Sequence, residues 1–119
     1  MVWEVEFTDE FEAWWNTLSE VEQDAIDVSV NLLQELGPHL PRPHADTLHG
    51  SRHANMKELR SQCQGRPLRT LFAFDPRRTA ILLVGGDKTG DDRFYERMIP
   101  LADDLYDEHL RQLREEGLI

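Results

Sequence analysis

Lys57 and Arg60 lie on one predicted strand, Arg69 on the next, and Lys88 in the glycine-rich stretch Gly85-Gly86-Asp87-Lys88-Thr89-Gly90 that ends a third. Cations fixed on strands and strand ends, rather than spread over helices, suit a protein that must hold a phosphodiester in one geometry. The rest of the chain makes this cluster stand out. Its 119 residues carry 13 Lys plus Arg against 23 Asp plus Glu, a net charge of -10. Residues 1–48 hold 11 acids and one cation, Arg42, while residues 49–100 hold ten cations and six acids. A uniformly acidic chain would argue against nucleic acid, because backbone binding comes from Lys and Arg meeting phosphate. The central segment is the exception.

The elements that must position these cations follow from periodicity. Val2–Thr8 alternates, with Trp3, Val5 and Phe7 on one side, as a half-buried strand does. Asp9 with Glu12 predicts a capping box for a short helix whose Phe11, Trp14, Trp15 and Leu18 recur at helical spacing. Ser19 with Glu22 repeats the signal. Val21, Ala25, Val28, Leu32 and Leu36 then form a long stripe closed by Gly37-Pro38. The tryptophans lie on these stripes, which favours packing over base stacking. The segment from Gly37 to Arg52 carries Pro38, Pro41 and Pro43 and reads as a loop.

Three strands follow, Asn55–Cys63, Leu68–Asp75 and Thr79–Gly85, joined by the turns Gln64-Gly65 and Asp75-Pro76-Arg77-Arg78 into an antiparallel meander. Ala80–Val84 is apolar throughout, as in a strand covered on both faces, whereas the polar mix of Asn55–Cys63 places it nearer an edge. Asp91 or Asp92 is the predicted cap of the next helix. Pro100 then opens a second helical segment with Ala102, Leu105, Tyr106, Leu110 and Leu113 as its buried stripe.

One domain over residues 1–119 is expected. The lone Cys63 cannot close an internal disulfide, and nothing resembles a signal peptide or a bilayer-spanning run, so a cytoplasmic protein with no membrane partner is expected. There is no CxxC, HExxH, P-loop or repeat. His39, His44 and His49 are unevenly spaced among prolines and read as solvated loop residues, so no metal and no cofactor are expected.

Register sharpens the site. If Gln64-Gly65 is a two-residue hairpin turn, Cys63 opposes Arg66 and Arg60 lies directly across from Arg69. Like charges so opposed destabilise a sheet unless an anion sits between them, which makes the pair a candidate phosphate clamp. A three-residue loop, which Pro67 beside the turn would suit, sends Arg69 to the other face.

The order strand, helix, helix, three strands, helix resembles the RelE/ParE toxin superfamily of bacterial toxin–antitoxin systems. The runs Lys57-Glu-Leu-Arg60, Arg69-Thr-Leu-Phe-Ala-Phe74, Ile81 to Tyr95 and Ile99 to Leu110 resemble its HigB-type, or Gp49-like, branch. That resemblance implies an α+β, RelE-like fold: one curved, mainly antiparallel sheet with a helical hairpin packed on it. It implies an endoribonuclease that cuts messenger RNA through 2'-hydroxyl attack, usually on the ribosome, held silent by a cognate helix-turn-helix, HigA-like antitoxin. Operator DNA would be reached only through that antitoxin.

Carried onto this chain, the resemblance gives Arg60 and Arg69 charge stabilisation, Lys88 phosphate contact or proton donation, and Tyr95 base stacking or proton transfer. Lys57, Arg66 and Arg93 are further candidates for RNA or phosphate contact, and His49 and His53 for the general base. Each residue also has a structural reading. Arg60 could pair with Glu58 or an acidic helix, Lys88 cap a turn beside Asp87, Tyr95 pack in a helix core and Lys57 solubilise an edge strand. A non-catalytic co-repressor and a gyrase-inhibiting, ParE-like toxin stand as the alternative functions.

Overall fold

The computed structural model describes residues 2–119. It comprises β1 (Val5–Phe7), α1 (Asp9–Trp15), α2 (Glu20–Leu36), β2 (Ala45–Thr47), β3 (Lys57–Cys63), β4 (Arg66–Phe74), β5 (Ala80–Asp87) and α3 (Phe94–Glu115), with a 3-10 turn at Gly37–His39. The five strands form one sheet in the order β1-β5-β4-β3-β2. The expected meander β3-β4-β5 is its centre, and β1 adds to β5 in parallel, making the sheet mixed. The segment read as loop contributes β2, a short edge strand on β3.

Both faces of the sheet are covered. On one, Phe11 of α1 and Ile26 and Leu33 of α2 pack on Leu59, Leu68, Phe72 and Leu82. On the other, Met98, Ile99, Ala102 and Tyr106 of α3 pack on Leu71, Ala73, Ile81 and Leu83. Residues Ala80 to Val84 of β5 are accordingly all buried, which accounts for their unbroken apolar run.

Local chemistry sets the helix starts. Ser19 and Glu22 form the expected capping box of α2. Helix α1 is capped one residue earlier than expected: Thr8 Oγ1 accepts from Phe11 N at 3.0 Å and donates to the Leu83 carbonyl at 2.6 Å, tying cap to sheet. Of the stripe assigned to α2, Ala25 and Leu32 pack partly buried at the edge of the core and the rest faces outward. Val21, Val28 and Leu36 are 53%, 61% and 41% exposed, and the buried face is Ile26, Ser29 and Leu33. Ser29 can turn inward because its hydroxyl accepts from Ser61 at 2.8 Å and lies 3.2 Å from the Arg60 carbonyl it donates to.

Helix α3 also departs from expectation. Neither Asp91 nor Asp92 is its N-cap; that position is Arg93, whose N–H donates to Asp91 Oδ1 at 3.1 Å. Pro100 lies inside one continuous helix rather than opening a second. It removes one backbone donor, while Met98, Ile99 and Ala102 around it are buried in the core.

The tryptophans pack against the fold. Trp3 meets Phe74 edge to face, and the Trp14 ring lies over Gly85, where an added Cβ would stand 2.2 Å from a ring carbon. Gly85→Ala must displace that ring, and overpacking of this kind costs about 1–3 kcal/mol. A urea-unfolding midpoint lowered with an unchanged slope is the expected result.

Candidate functional site

Gln64 and Gly65 both have positive φ, 52° and 79°, so the turn is the two-residue hairpin type whose twist matches the strands. Its register sets Cys63 opposite Arg66 and Arg60 opposite Arg69. Pro67 is accommodated opposite Gln62, and its carbonyl accepts from Lys88 N at 2.9 Å, which anchors the loop after β5 beside the hairpin.

Alternation along β3 and β4 divides the candidates between faces. Glu58, Arg60 and Arg69 point to the side of α3, whereas Lys57 and Arg66 share the opposite face with Leu59, Cys63 and Leu68. Lys57 and Arg66 thus leave the cluster. Arg66 instead pairs with Glu22 on α2 at 2.8 Å and Asp87 at 3.4 Å, and the Glu22 hydrogen bond raises its pKa.

The anion between the two arginines is internal. Glu58 Oε2 accepts from Arg60 Nη2 at 3.1 Å and Nε at 3.3 Å, and Glu58 Oε1 accepts from the Tyr95 hydroxyl at 2.6 Å. Arg69 Nε stands 3.4 Å from the same Oε1. It makes no hydrogen bond, although it is buried, while Nη1 of the same guanidinium donates to the Leu68 carbonyl at 3.2 Å. Side-chain exposure rises from 4% for Glu58 through 12% for Arg69 to 32% for Arg60, so Arg60 is the outer lid of the group. Asp46 on β2 also reaches Arg60 Nη2, at 3.4 Å.

Tyr95 and Lys88 complete the constellation. Tyr95 is half-buried against the core, and Lys88 Nζ lies 5.2 Å from the centre of its ring. Burial, and then the hydrogen bond and charge of Glu58, raise the Tyr95 pKa, so the phenol is a neutral donor near pH 7. In the turn beside Asp87 the Lys88 carbonyl accepts from Asp91 N at 3.1 Å, while the side-chain cap is Asp87 itself, whose Oδ1 accepts from both the backbone and the hydroxyl of Thr89.

The remaining candidates lie elsewhere. Asp103, buried on α3, accepts from the Ser51 hydroxyl at 2.5 Å and from Arg52 N at 3.0 Å, pinning the loop before β3 to the middle of that helix. His53 is thereby placed with Nε2 2.7 Å from Asp107 and its ring against Tyr106, about three helical turns from Tyr95. His49 is exposed in the same loop, and Arg93 is exposed at the start of α3. Among the described residues no three His, Cys, Asp or Glu side chains converge as metal ligands. Glu58, read from the sequence as a pairing partner for Arg60, is that partner and also the centre of the group. It stands two positions before Arg60, and the register that paired the arginines also places it on their face.

Arg60, Arg69, Lys88, one neutral phenol donor and one enclosed carboxylate therefore gather at the β3–β4 hairpin. Such a set can bind an anion, stabilise negative charge that grows on it, and both donate and accept a proton.

Residues 13–107 match the family model described as Phage derived protein Gp49-like. Toxin HigB2 of Mycobacterium tuberculosis is 45% identical over 105 residues, 87% of this chain and 52% of HigB2. Toxin HigB3 of the same organism is 45% identical over 93 residues, 77% of this chain and 80% of HigB3. The chain thus spans about half the length of HigB2 and most of HigB3. Among solved structures, a mutant of the E. coli toxin RelE in the free state superposes with a TM-score of 0.57 at 11% identity, covering 82% of this chain and 96% of that one. The archaeal RelE–RelB complex from Pyrococcus horikoshii gives 0.55 at 11% identity, covering 76% and 99%. At such identity the likeness is one of fold.

Proposed function

Because the chain belongs to the Gp49-like family of HigB-type toxins in the RelE superfamily, we propose that it is the toxin of a toxin–antitoxin pair and cleaves messenger RNA on the ribosome. The observation that supports this most is the opposed pair Arg60 and Arg69, in which the buried Nε of Arg69 stands beside Glu58 without a hydrogen bond. An unsatisfied buried donor costs about 1–3 kcal/mol, a cost expected where a ligand supplies the acceptor.

In this reading the scissile phosphate lies over the hairpin. Arg60 and Arg69 hold its non-bridging oxygens and stabilise the charge of the pentavalent phosphorane, as guanidinium forks suit. Lys88 protonates the departing 5'-oxygen. Tyr95, fixed through Glu58, lends its ring to a neighbouring base.

The proposed partner is an antitoxin, bound to this chain as RelB is bound to RelE in the archaeal complex; a HigA-like helix-turn-helix protein would fill that place and carry the pair to operator DNA. The chain's charge of -10 and the neutralisation of Arg60 by Glu58 favour a second reading, in which the fold has no nuclease activity and serves that antitoxin as co-repressor.

Induction in a bacterial host without antitoxin, with growth followed and messenger RNA 5' ends mapped, separates the two. Growth arrest with new ends inside coding regions, at unchanged plasmid supercoiling, is the expected result. Unimpeded growth and no new ends from soluble protein would overturn it in favour of the co-repressor. Altered supercoiling would point to gyrase.

A further inference from the structure

We propose that Glu58 is the general base that takes the 2'-hydroxyl proton, an assignment that rests on the ribonuclease reading. The first ground is chemical elimination among the groups that touch Glu58 or Tyr95. Arg60, Arg69 and Lys88 carry donors only, and Tyr95 keeps its proton near neutral pH. Both histidines considered for the role stand away from the cluster, His53 against Asp107 and His49 in an exposed loop. Glu58 is the acceptor that joins Arg60, Arg69 and Tyr95.

The second ground is how its two oxygens are held. Oε1 takes a 2.6 Å hydrogen bond from Tyr95, whose helix is packed on the sheet, and this fixes the carboxylate plane. Oε2 is held by Arg60 alone, at 3.1 and 3.3 Å, and Arg60 is more exposed than Glu58 or Arg69. A phosphate drawn to these cations competes for those same guanidinium donors. As Arg60 turns to the phosphate, Oε2 is freed beside the ribose it must serve. The Arg60–Glu58 pair thus covers the base until substrate arrives, and the substrate's own charge uncovers it.

The step balances without a metal or further reactant. The 2'-O–H proton passes to Glu58 Oε2, the 2'-oxygen forms a bond to phosphorus, the bond from phosphorus to the 5'-oxygen breaks, and the leaving oxygen takes a proton from Lys88 Nζ. The products are a 2',3'-cyclic phosphate and a 5'-hydroxyl, with Glu58 protonated and Lys88 neutral until water exchanges the proton between them.

The test uses Glu58→Gln and Glu58→Asp in the full chain, with bacterial ribosomes programmed by a messenger RNA that the wild type cleaves. Binding is measured on the same RNA carrying a 2'-deoxy sugar at the cut position. Gln keeps one oxygen for Arg60 and turns its amide NH2 to the Tyr95 hydroxyl oxygen, which can accept, but it is no base. The expected result is a fall of about 10²–10⁴-fold in single-turnover rate for Glu58→Gln, with binding of the deoxy RNA unchanged or tighter. A smaller fall is expected for Glu58→Asp, with unfolding midpoints that show both variants folded. Cleavage by Glu58→Gln within a few-fold of wild type, or faster, would overturn the assignment and make Glu58 an internal counter-ion. Equal losses of rate and binding would overturn it in favour of a purely positioning role. RNA left intact by the wild type itself removes the ribonuclease reading, an outcome distinct from every behaviour of the variants.

Discussion

Arg69→Ala is expected to lower messenger RNA cleavage by about two to three orders of magnitude, the usual effect of removing one preorganised donor from a developing negative charge, and to release the host from growth arrest. Arg69 sits at the centre of the hairpin face, almost enclosed, with one guanidinium nitrogen committed to the Leu68 carbonyl and its Nε 3.4 Å from Glu58 without a hydrogen bond. That commitment fixes the direction of the remaining donors, so little side-chain freedom is lost when phosphate binds. Arg69→Lys keeps the charge but loses the fork, and a loss of more than about tenfold is expected for it as well. Mapped 5' ends and growth after induction give the readout, with an unfolding curve as the control. Removing Arg69 leaves Glu58 its contacts with Arg60 and Tyr95, so the fold should survive. Unaltered phenotypes for both variants would place the protein with the co-repressors.

What the chain's residues disclosed of this site, and what they hid, follows from the range of each interaction. The hairpin register was readable because a two-residue turn is a local object, and Gln64-Gly65 determines that Arg60 meets Arg69. The same arithmetic, carried two residues back, reaches Glu58; applied to parity, it removes Lys57 and Arg66 from the face. The double-sided burial of Ala80–Val84 was readable for a similar reason, since a fully apolar strand has nowhere polar to face.

Long-range choices were hidden. Helix α2 carries two apolar stripes at helical spacing, and spacing alone does not select between Leu32 and Leu33. The selection is made by β3, where Ser61 offers a partner to Ser29. β2 is three residues amid prolines, and its strand character comes from pairing with Lys57, Glu58 and Leu59. His53 was proposed for its nearness in sequence to β3, yet the buried Asp103 fastens its loop to α3 and carries it away. Pro100 stops an isolated helix; here the core residues on both sides outweigh the missing hydrogen bond.

Asp75→Ala is expected to lower stability by about 3–5 kcal/mol, the cost of stripping a buried ion pair of one partner and a large share of the roughly 5–15 kcal/mol that holds a domain together. The Asp75 side chain has no solvent exposure and accepts from Arg77 N at 2.8 Å, Arg77 Nη2 at 2.8 Å and Arg77 Nε at 3.2 Å, with His109 Nε2 2.9 Å away. Arg77 continues to Glu6 at 2.7 Å, so one carboxylate joins the turn after β4, the edge strand β1 and helix α3. Burial pushes the Asp75 carboxyl up, but the hydrogen bonds of Arg77 and His109 outweigh it and leave it below the ordinary carboxylate range.

A folded value below the unfolded one means that Asp75 contributes fully at neutral pH, above the unfolded value, and that this part of the stability is lost as pH falls through the folded value. The gap in unfolding free energy between wild type and Asp75→Ala, measured in urea, should therefore be widest near neutrality and narrow below about pH 4, where carboxyls of the unfolded chain begin to take up protons. Other depressed carboxyls, Asp46 and Asp87 among them, slope the same way in both proteins and cancel in the difference. A gap that stays constant into acid would mean that the variant loses packing and hydrogen bonds rather than charge. Because this network lies away from the arginine hairpin, a milder variant such as Asp75→Asn should lower stability while leaving cleavage per folded molecule unchanged, which separates what holds the sheet from what the sheet presents.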